Sequence, residues 1–513
     1  MKGASPINKT RQDLQSGDHR SPIQNKLSAN EAWLRDTFQA CEDVQIKSLI
    51  LPTKQAPRSV LLVYCPGVCK VDLINQQVIP SLGRVLQTIV PETSNQERVI
   101  AAWQYSSVQS VKVLEEVIAP VFEGKVAVLI NGVATAFLLD VADLPNREPS
   151  ETNSEVSVKG PRDGFTEELS VNIALVRKRL KTNSLRTEYF RLGTRSQTQV
   201  ALLYIEDIAR PESIKEVREK LNKIDAESIY SSTQIEERII SAKFSIFPQM
   251  DYTGRPDYVV ESVLKGRFVL IIDGVPTSLI APCNLFLMLK AAEDMHTNYI
   301  YASFERILRI IGLFVAVLLP GFYVAITSYH QDQIPLSLLA TLLLARKGIP
   351  FTIPLEAFLM LLLFELFREA GVRLPSKIGQ TLAVVGGLII GDAAIRSGIA
   401  SPSLLVVAGT TAVTTFTLIN QSLAGAVSIL RLLIMILSSF LGLFGFFVGM
   451  FVIYVYMANI RSFGISYLTP VSAFSWKDFF LFFMREPQAR VWKRPEFLHP
   501  LDATKEGSAD DET

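Results

Sequence analysis

The pattern of apolar and polar residues along the chain changes near Arg306. Before that point, short apolar runs alternate with charged segments, which is typical of a water-soluble α/β fold. From Ile307 to about Ile460, several apolar runs are long enough to cross a bilayer, where a helix satisfies its own backbone amides. The pattern therefore predicts a multi-domain protein, in which a cytosolic α/β domain precedes an all-α polytopic transmembrane domain.

An internal repeat divides the predicted α/β domain into two similar lobes. Residues 59–82 resemble the stretch that opens at Gln199, and residues 122–141 resemble residues 264–283. The separation is 140 residues in the first match and 142 in the second, and this constancy indicates two copies of one unit. A cleft between the lobes would suit a ligand, and a scaffold for contacts with other subunits is an equal alternative.

Each lobe is predicted to end in a β-hairpin. The turns are Asn131-Gly132 and Asp273-Gly274, because both pairs tolerate the positive φ of a tight primed turn. The predicted divisions are a disordered tail over 1–30, a first lobe over 31–144, a linker over 145–160, a second lobe over 161–300, a transmembrane domain over 301–460 and a cytosolic tail over 461–513.

The number of membrane spans stays open between four and six. Two shorter apolar pieces, residues 334–345 and 355–367, form either a re-entrant hairpin or a pair of crossings. Both counts are even, so a cytosolic N-terminus implies a cytosolic C-terminus. The other predicted spans are residues 307–329, 380–395, 403–419 and 432–457.

One predicted helix, Ser403–Gln421, carries a polar stripe. Its members recur at i, i+4, i+7 and i+11 and so share one face: Thr410, Thr414, Thr417 and Gln421. Several copies that present this face to a common axis would line an uncharged, water-accessible pore. In the alternative, the threonines bond their own i−4 carbonyls and pack between helices.

Three acidic residues are rival polar sites, because charge at membrane depth is costly and faces protein or water. They are Glu356, Glu365 and Asp392. Small residues spaced four apart in Gly386–Gly391 and in Gly442–Gly449 predict close helix packing instead.

Overall charge and motif content exclude several function classes. The chain has 51 Lys+Arg against 50 Asp+Glu, which argues against nucleic acid as a main partner. The sequence has no phosphate loop, nucleophile elbow or His-Glu metal cluster, so we expect no enzymatic activity, metal or cofactor. Its four cysteines show no disulfide framework and fit a reducing compartment.

A basic run follows the segment Pro-Arg-Asp-Gly-Phe that begins at Pro161. It closes an amphipathic helix and predicts a surface that docks another subunit or anionic membrane lipid. A solvated helix face is the plainer alternative. The docking candidates are Arg162, Asp163, Arg177 and Arg179.

Four motifs carry a resemblance to a known family. They are GPRDGFTEELSVNIALVRKRLKT (Gly160–Thr182), GRPDYVVESVLKGRFVLIIDGVPTSLIAP (Gly254–Pro282), REAGVRLP (Arg368–Pro375) and IRSFGISYLTP (Ile460–Pro470). With them the chain resembles the A subunits of bacterial spore germinant receptors of the GerA type. The resemblance runs from about Trp33 to Pro495 and is densest after Gly160.

The resemblance implies a multi-pass subunit in the inner membrane of a dormant spore, with both termini cytosolic. It implies a transporter-like B subunit that holds the nutrient and a lipoprotein C subunit as partners. It also implies a homo-oligomeric, nutrient-gated channel whose opening accompanies release of monovalent cations. A non-conducting scaffold is the runner-up interpretation, and a secondary transporter is the third.

Overall fold

The computed structural model describes residues 21–52, 57–88, 103, 108–143, 159–240, 244–373, 391–471, 484–485, 487 and 493–504. The chain separates into two compact units. One comprises Met1–Ile240, Tyr252–Pro282 and Ala489–Thr513, and the other comprises Ser241–Asp251 and Cys283–Gln488.

Two five-stranded sheets form the α/β part of the chain, and their strand orders are equivalent. The first has the order β1-β2-β4-β5-β3 and the second the order β6-β7-β9-β10-β8. The strands are β1 (Gln45–Leu51), β2 (Arg58–Tyr64), β3 (Val108–Val111), β4 (Lys125–Ile130), β5 (Ala136–Asp140), β6 (Leu185–Leu192), β7 (Thr198–Ile205), β8 (Asp251–Thr253), β9 (Phe268–Ile272) and β10 (Ser278–Ala281).

The register of the central strands matches the spacing of the sequence repeat. Val60 pairs with Ile130 in the first sheet, and Val200 pairs with Ile272 in the second. The two positions are again separated by 140 and 142 residues. The predicted internal repeat is therefore confirmed at the level of strand pairing.

Amphipathic helices cover these sheets. In the helix that begins at Pro211, the residues Ile214, Val217 and Leu221 are buried at i, i+3 and i+7, which makes one apolar stripe. The helices are α1 (Leu27–Thr37), α2 (71–88, with a π-helical turn at Ile74–Val78), α3 (Glu115–Phe122), α4 (Leu169–Arg177), α5 (Pro211–Asn222), α6 (Ser232–Ile239) and α7 (Pro256–Leu264).

The first lobe begins earlier than the sequence predicts. Residues 21–30 were predicted as part of a disordered tail, but α1 begins at Leu27, and Ile23 and Asn30 are buried. The Asn30 side chain donates to the carbonyl of Gln24 at 2.7 Å and accepts from its amide at 2.9 Å. The prediction of a disordered tail that extends to residue 30 is therefore wrong. Ile23 and Leu27 belong to the hydrophobic core that packs beside the first sheet.

Both predicted hairpins are present, but their turns are not primed. Gly132 has a φ of +89°, and the amide of Val133 donates to the carbonyl of Ile130 at 3.1 Å. Asn131 is not among the residues with positive φ, so glycine at the third turn position gives a type II turn. The Asn131 side-chain oxygen accepts a hydrogen bond from the amide of Leu27 at 3.2 Å, and it thereby caps the start of α1.

The second unit is helical. Its α-helices are α8 (Leu285–Met288), α9 (Tyr299–Tyr329), α10 (Leu336–Ala345), α11 (Ile353–Arg373), α12 (Pro402–Phe416) and α13 (Gln421–Asn459), and a short two-stranded sheet follows them, β11 (Arg461–Ser462) with β12 (Ile465–Ser466). Among the described residues, α9 and α13 have the length and apolar composition needed to cross a membrane. Most of the predicted span over 380–395 lies outside the described residues.

The long helix α13 folds back on itself at Gly442, whose φ of +58° and ψ of −139° are not helical. In a straight helix, Leu437 and Gly449 would lie about 18 Å apart along the axis. Instead, a β-carbon built on Gly449 would lie 3.1 Å from Leu437 Cδ1. We therefore describe α13 as two antiparallel segments, residues 421–441 and 443–459.

This reversal corrects the single span predicted over 432–457, which contains the turn. It confirms the close packing predicted from the glycines of Gly442–Gly449, since Gly445 and Gly449 both face the first segment. Glycine leaves room there for the backbones to approach.

Contacts between the helices fix their relative directions. Tyr323 of α9 meets Ser403 at the start of α12 with 3.0 Å between their oxygens, and Gly312 lies beside Thr417 just past the end of α12. Those two helices are therefore antiparallel. The first segment of α13 runs parallel to α9, because Gly321 packs on Ile434 and the later Tyr329 reaches Ser439.

Candidate functional site

A buried ion pair joins the two lobes. The Arg177 guanidinium is fully buried, and its Nε and Nη2 donate to the two oxygens of Asp43 at 2.6 and 2.8 Å. It also lies 4.2 Å above the ring of Phe122. Burial opposes its charge, but Asp43 raises the pKa of Arg177 above its ordinary value. The prediction that Arg177 docks a partner is wrong, because no part of its side chain reaches the surface.

The other three docking candidates stay at the surface. Arg179 Nη2 donates to both oxygens of Asp163, at 2.6 and 2.7 Å, and the two side chains are 22% and 31% exposed. Arg162 is exposed. Their role in docking stays a prediction.

The predicted threonine stripe is broken. The helix α12 ends at Phe416, and Thr417 is its C-cap residue. Asn420 caps the next helix by accepting from the amide of Leu423 at 3.1 Å, so Gln421 belongs to α13. The prediction of one continuous helix over Ser403–Gln421 is therefore wrong. Asn420 is a typical N-cap residue, but it lies within a long apolar stretch, and the prediction followed the apolar pattern alone.

The hydroxyls of the stripe bond to their own helix. Thr414 Oγ1 donates to the carbonyl of Thr410 at 2.9 Å, and Thr417 Oγ1 donates to the carbonyl of Thr414 at 2.7 Å. These bonds match one part of the alternative that the sequence left open, but Thr410 and Thr417 are exposed and so do not match its other part, packing between helices. A different exposed face remains on α12, with residues recurring at helical spacing: Val406, Thr410, Val413 and Thr417.

Glu356 lies in a buried polar site. Its side chain is fully buried, and the amide and hydroxyl of Ser401 both donate to Oε1 at 2.6 Å. Arg346 Nη1 lies 3.2 Å from the other oxygen. The acidic candidate is therefore neutralised by an arginine that precedes α11.

Glu365 holds a second polar cluster, between α11 and α13. Arg431 Nη2 lies 3.1 Å from Glu365 Oε2, and the Ser428 hydroxyl donates to the same oxygen at 3.3 Å. Arg368 pairs with the other oxygen, and Arg431 also donates to the Thr415 hydroxyl at 3.3 Å. One carboxylate thus pairs with two guanidinium groups, and the three side chains together keep one positive charge.

The sequence analysis did not identify Arg431 and Arg346 as the ion-pair partners of Glu365 and Glu356. The available signal was a single arginine within or beside an apolar run, which is rare at membrane depth and marks a functional or paired site. The third acidic candidate, Asp392, differs from the others. It pairs with Arg396 at 2.8 Å on the surface of one helical turn, and both side chains are mostly exposed.

A cavity of about 630 Å³ adjoins the reversal of α13. Leu339 and Phe440 give it apolar walls, while Ser328, Tyr329 and Arg346 line its polar side. Among the described residues, no group of three His, Cys, Asp or Glu side chains could hold a metal ion.

The chain has a repeated α/β lobe and, after it, apolar helices with buried ion pairs. These features define its class: a protein with an α/β front part and a helical part of the kind that associates with membranes. Residues 32–497 match the family described as Bacillus/Clostridium GerA spore germination protein. The chain belongs to this family and is a germinant receptor A subunit.

The chain is similar to several known proteins. Spore germination protein XA of Bacillus anthracis is 43% identical over 96% of this chain and 100% of that protein. The uncharacterized membrane protein YfkQ of Bacillus subtilis (strain 168) is 34% identical over 92% of this chain and 91% of its own length. The crystal structure of the N-terminal domain of the A subunit of the Bacillus megaterium spore germinant receptor GerK3 is similar at 25% identity, with a TM-score of 0.41, over 52% of this chain and 97% of that one.

Proposed function

We propose that this A subunit spans the inner membrane of the spore and forms, with other copies of itself, an ion channel for monovalent cations. A B subunit that holds the nutrient and a C subunit would complete the receptor. The protein would act by conformational change and catalyse no reaction. Nutrient can open such a channel only through a difference in affinity between its closed and open states.

The directions of the helices support six spans with both termini cytosolic, though not the six in which both short apolar pieces cross. Here the spans would be α9, α11, residues 380–395, α12 and the two segments of α13. Glu365 contacts Arg431, and the later Arg368 reaches the carbonyl of Ala424, so α11 is antiparallel to the first segment of α13. The helices α11 and α12 then run in the same direction, which favours one further crossing between them. The span predicted over 380–395, largely outside the described residues, would supply that crossing.

Cysteine accessibility tests this topology. Lys347 and Arg461 are exposed and would face opposite sides of the membrane. In sealed vesicles of one orientation, an impermeant maleimide should label K347C or R461C but not both, and permeabilisation should expose the other. Labelling of both before permeabilisation would contradict the topology.

The observation that carries the channel proposal is the exposed face of α12. Val406 and Val413 are 69% and 64% exposed, and Thr410 lies between them. Val406, Thr410 and Val413 form a mixed apolar and hydroxyl surface that the described part of the chain leaves exposed, so the same surface of a neighbouring copy can meet it. A ring of such faces around one axis would make a narrow, uncharged pore.

Bulky substitution tests the pore. Thr410→Trp should abolish cation release on addition of nutrient while the receptor still assembles. Ile429→Trp is the matched control, because Ile429 is 54% exposed and belongs to another helix, α13. Normal release from T410W spores, with assembly intact, would favour a non-conducting scaffold instead.

A further inference from the structure

One short segment exposes an aromatic side chain almost completely. Phe244 is 98% exposed, and Ile246, two residues on, is 38% exposed. Isolated exposed apolar residues are common on soluble proteins. A phenylalanine with nearly its whole ring in water calls for an explanation when the segment that carries it is held in place.

The segment of residues 244–247, which we call the Phe244 segment, is fixed to the end of α13. The amide of Ile246 donates to the Tyr456 hydroxyl at 2.9 Å, and that hydroxyl donates to the carbonyl of Phe244 at 3.4 Å. The ring of Phe247 lies 6.0 Å from the ring of Tyr456 and 5.5 Å from the ring of Tyr467. Phe244 is therefore placed at the level of the Tyr456 hydroxyl.

The Tyr456 hydroxyl, and Phe244 with it, lies near the end of α13, a helix long and apolar enough to cross a membrane. Tyr456 lies three residues before α13 ends at Asn459, which is roughly 5 Å along the axis. The second segment of α13 presents an apolar face just before it, with Phe451, Tyr454 and Val455 exposed. Tyrosine and other aromatic side chains concentrate where hydrocarbon meets the headgroups.

We propose that the Phe244 segment is a membrane-interface anchor, which inserts Phe244 into the headgroup–acyl boundary of the leaflet at the Asn459 end of α13. This inference rests on the proposed function, because it requires α13 to cross the bilayer. The partner is the lipid bilayer itself.

Site-directed fluorescence tests the anchor in the full-length protein. Phe244→Cys would be labelled with an environment-sensitive nitrobenzoxadiazole dye and reconstituted in phosphatidylcholine–phosphatidylglycerol vesicles. The four native cysteines are buried, and unmodified protein controls for their labelling. Since Phe244 makes almost no side-chain contacts, this substitution leaves the fold unchanged.

Two matched positions calibrate the dye. Tyr230→Cys, 74% exposed in the α/β part, reports water, and Ile436→Cys, 50% exposed in the first segment of α13, reports hydrocarbon. The F244C dye should emit to the blue of the Y230C dye. It should also lose at least half its emission to a lipid whose nitroxide lies near the headgroup, and less to one whose nitroxide lies deep.

Each outcome decides the question. Emission equal to that of Y230C would overturn the anchor, and so would a blue-shifted dye that no lipid nitroxide quenches, since a protein would then cover the segment. If the deep nitroxide quenches I436C while F244C stays in water, the anchor fails and the membrane span stands. If I436C is not quenched, the proposed function itself fails.

Discussion

At the scale of single residues, the clearest finding is how the two lobes are joined. Arg177 and Asp43 come from different lobes, and both are almost completely buried. Removal of one partner from a buried pair leaves an uncompensated charge, which costs far more than loss of a surface pair. The pair therefore fixes the lobes against each other.

We expect Asp43→Ala to lower the free energy of unfolding of the α/β part by about 3–5 kcal/mol. The control is Asp163→Ala, which removes the partner of Arg179 from a part-exposed pair and should cost less than about 1 kcal/mol. Thermal unfolding of the purified full chain measures both. Similar midpoints for the two variants would contradict the assignment of Arg177 to the junction.

The cysteines allow a second prediction at this scale. Burial, with a smaller contribution from Asp143, raises the pKa of Cys69 to about 12, and burial also raises the pKa values of Cys41 and Cys65. At pH 8 only about one Cys69 in ten thousand would be a thiolate. Maleimide should therefore leave the native protein unlabelled and react fully after denaturation. Rapid native labelling would show that the first lobe opens.

At the scale of elements, the reversal of α13 depends on one backbone conformation. Gly442 has a positive φ, and a β-carbon there would lie 2.9 Å from His330 Cε1 and 3.0 Å from Tyr329 Cβ. Any other residue at position 442 would therefore have a strained backbone, and its β-carbon would clash with His330 and Tyr329. Without the turn, the second segment could not return along the first.

We expect Gly442→Ala to destabilise the helical unit by more than about 1 kcal/mol, because alanine is strained at positive φ. Gly425→Ala is the matched control on the same helix, where the added methyl group meets nothing within 4 Å. There alanine should stabilise by about 0.5–1 kcal/mol. Opposite shifts in the thermal midpoint confirm the reversal, and equal shifts contradict it.

Elements also show what the sequence could predict. The strands and hairpins repeat because their apolar runs and glycine turns recur at fixed spacing. The same spacing was present in the motif Leu-Ser-x-Asn, at Leu27 in α1 and Leu169 in α4, where Asn30 and Asn172 make equivalent hydrogen bonds. It was missed because α1 alternates buried positions with exposed polar ones and looks like a tail.

Other features could not be read from local pattern. The apolar run through Gly442 is continuous, so hydropathy alone gives one span where the chain makes two segments. Glu365 and Arg431 are 66 positions apart, and only packing of α11 on α13 brings them together. The threonine stripe failed for a similar reason, since helical periodicity was extended past a cap at Asn420.

For the whole molecule, the interior of the helical unit carries charge that must be balanced. Glu365 faces both Arg368 and Arg431, so Glu365→Gln would leave two guanidinium groups close together in an apolar bundle. We expect E365Q to lose about 1–3 kcal/mol of stability, because Arg431 is buried while Glu365 is 33% exposed. The double variant Glu365→Met with Arg431→Met should recover most of this loss, because it removes the more deeply buried guanidinium together with its carboxylate, while the remaining Arg368 is 24% exposed.

These variants separate a structural role of the cluster from a functional one. If the cluster only holds α11 to α13, the double variant should assemble at normal levels and spores that carry it should release cations normally. If the charges take part in opening the proposed channel, the double variant should assemble but fail to release cations. Apolar contacts cannot replace an ion pair that forms in one state and breaks in the other. We expect the second outcome. Polar groups at membrane depth are retained mainly where a pathway or a switch requires them.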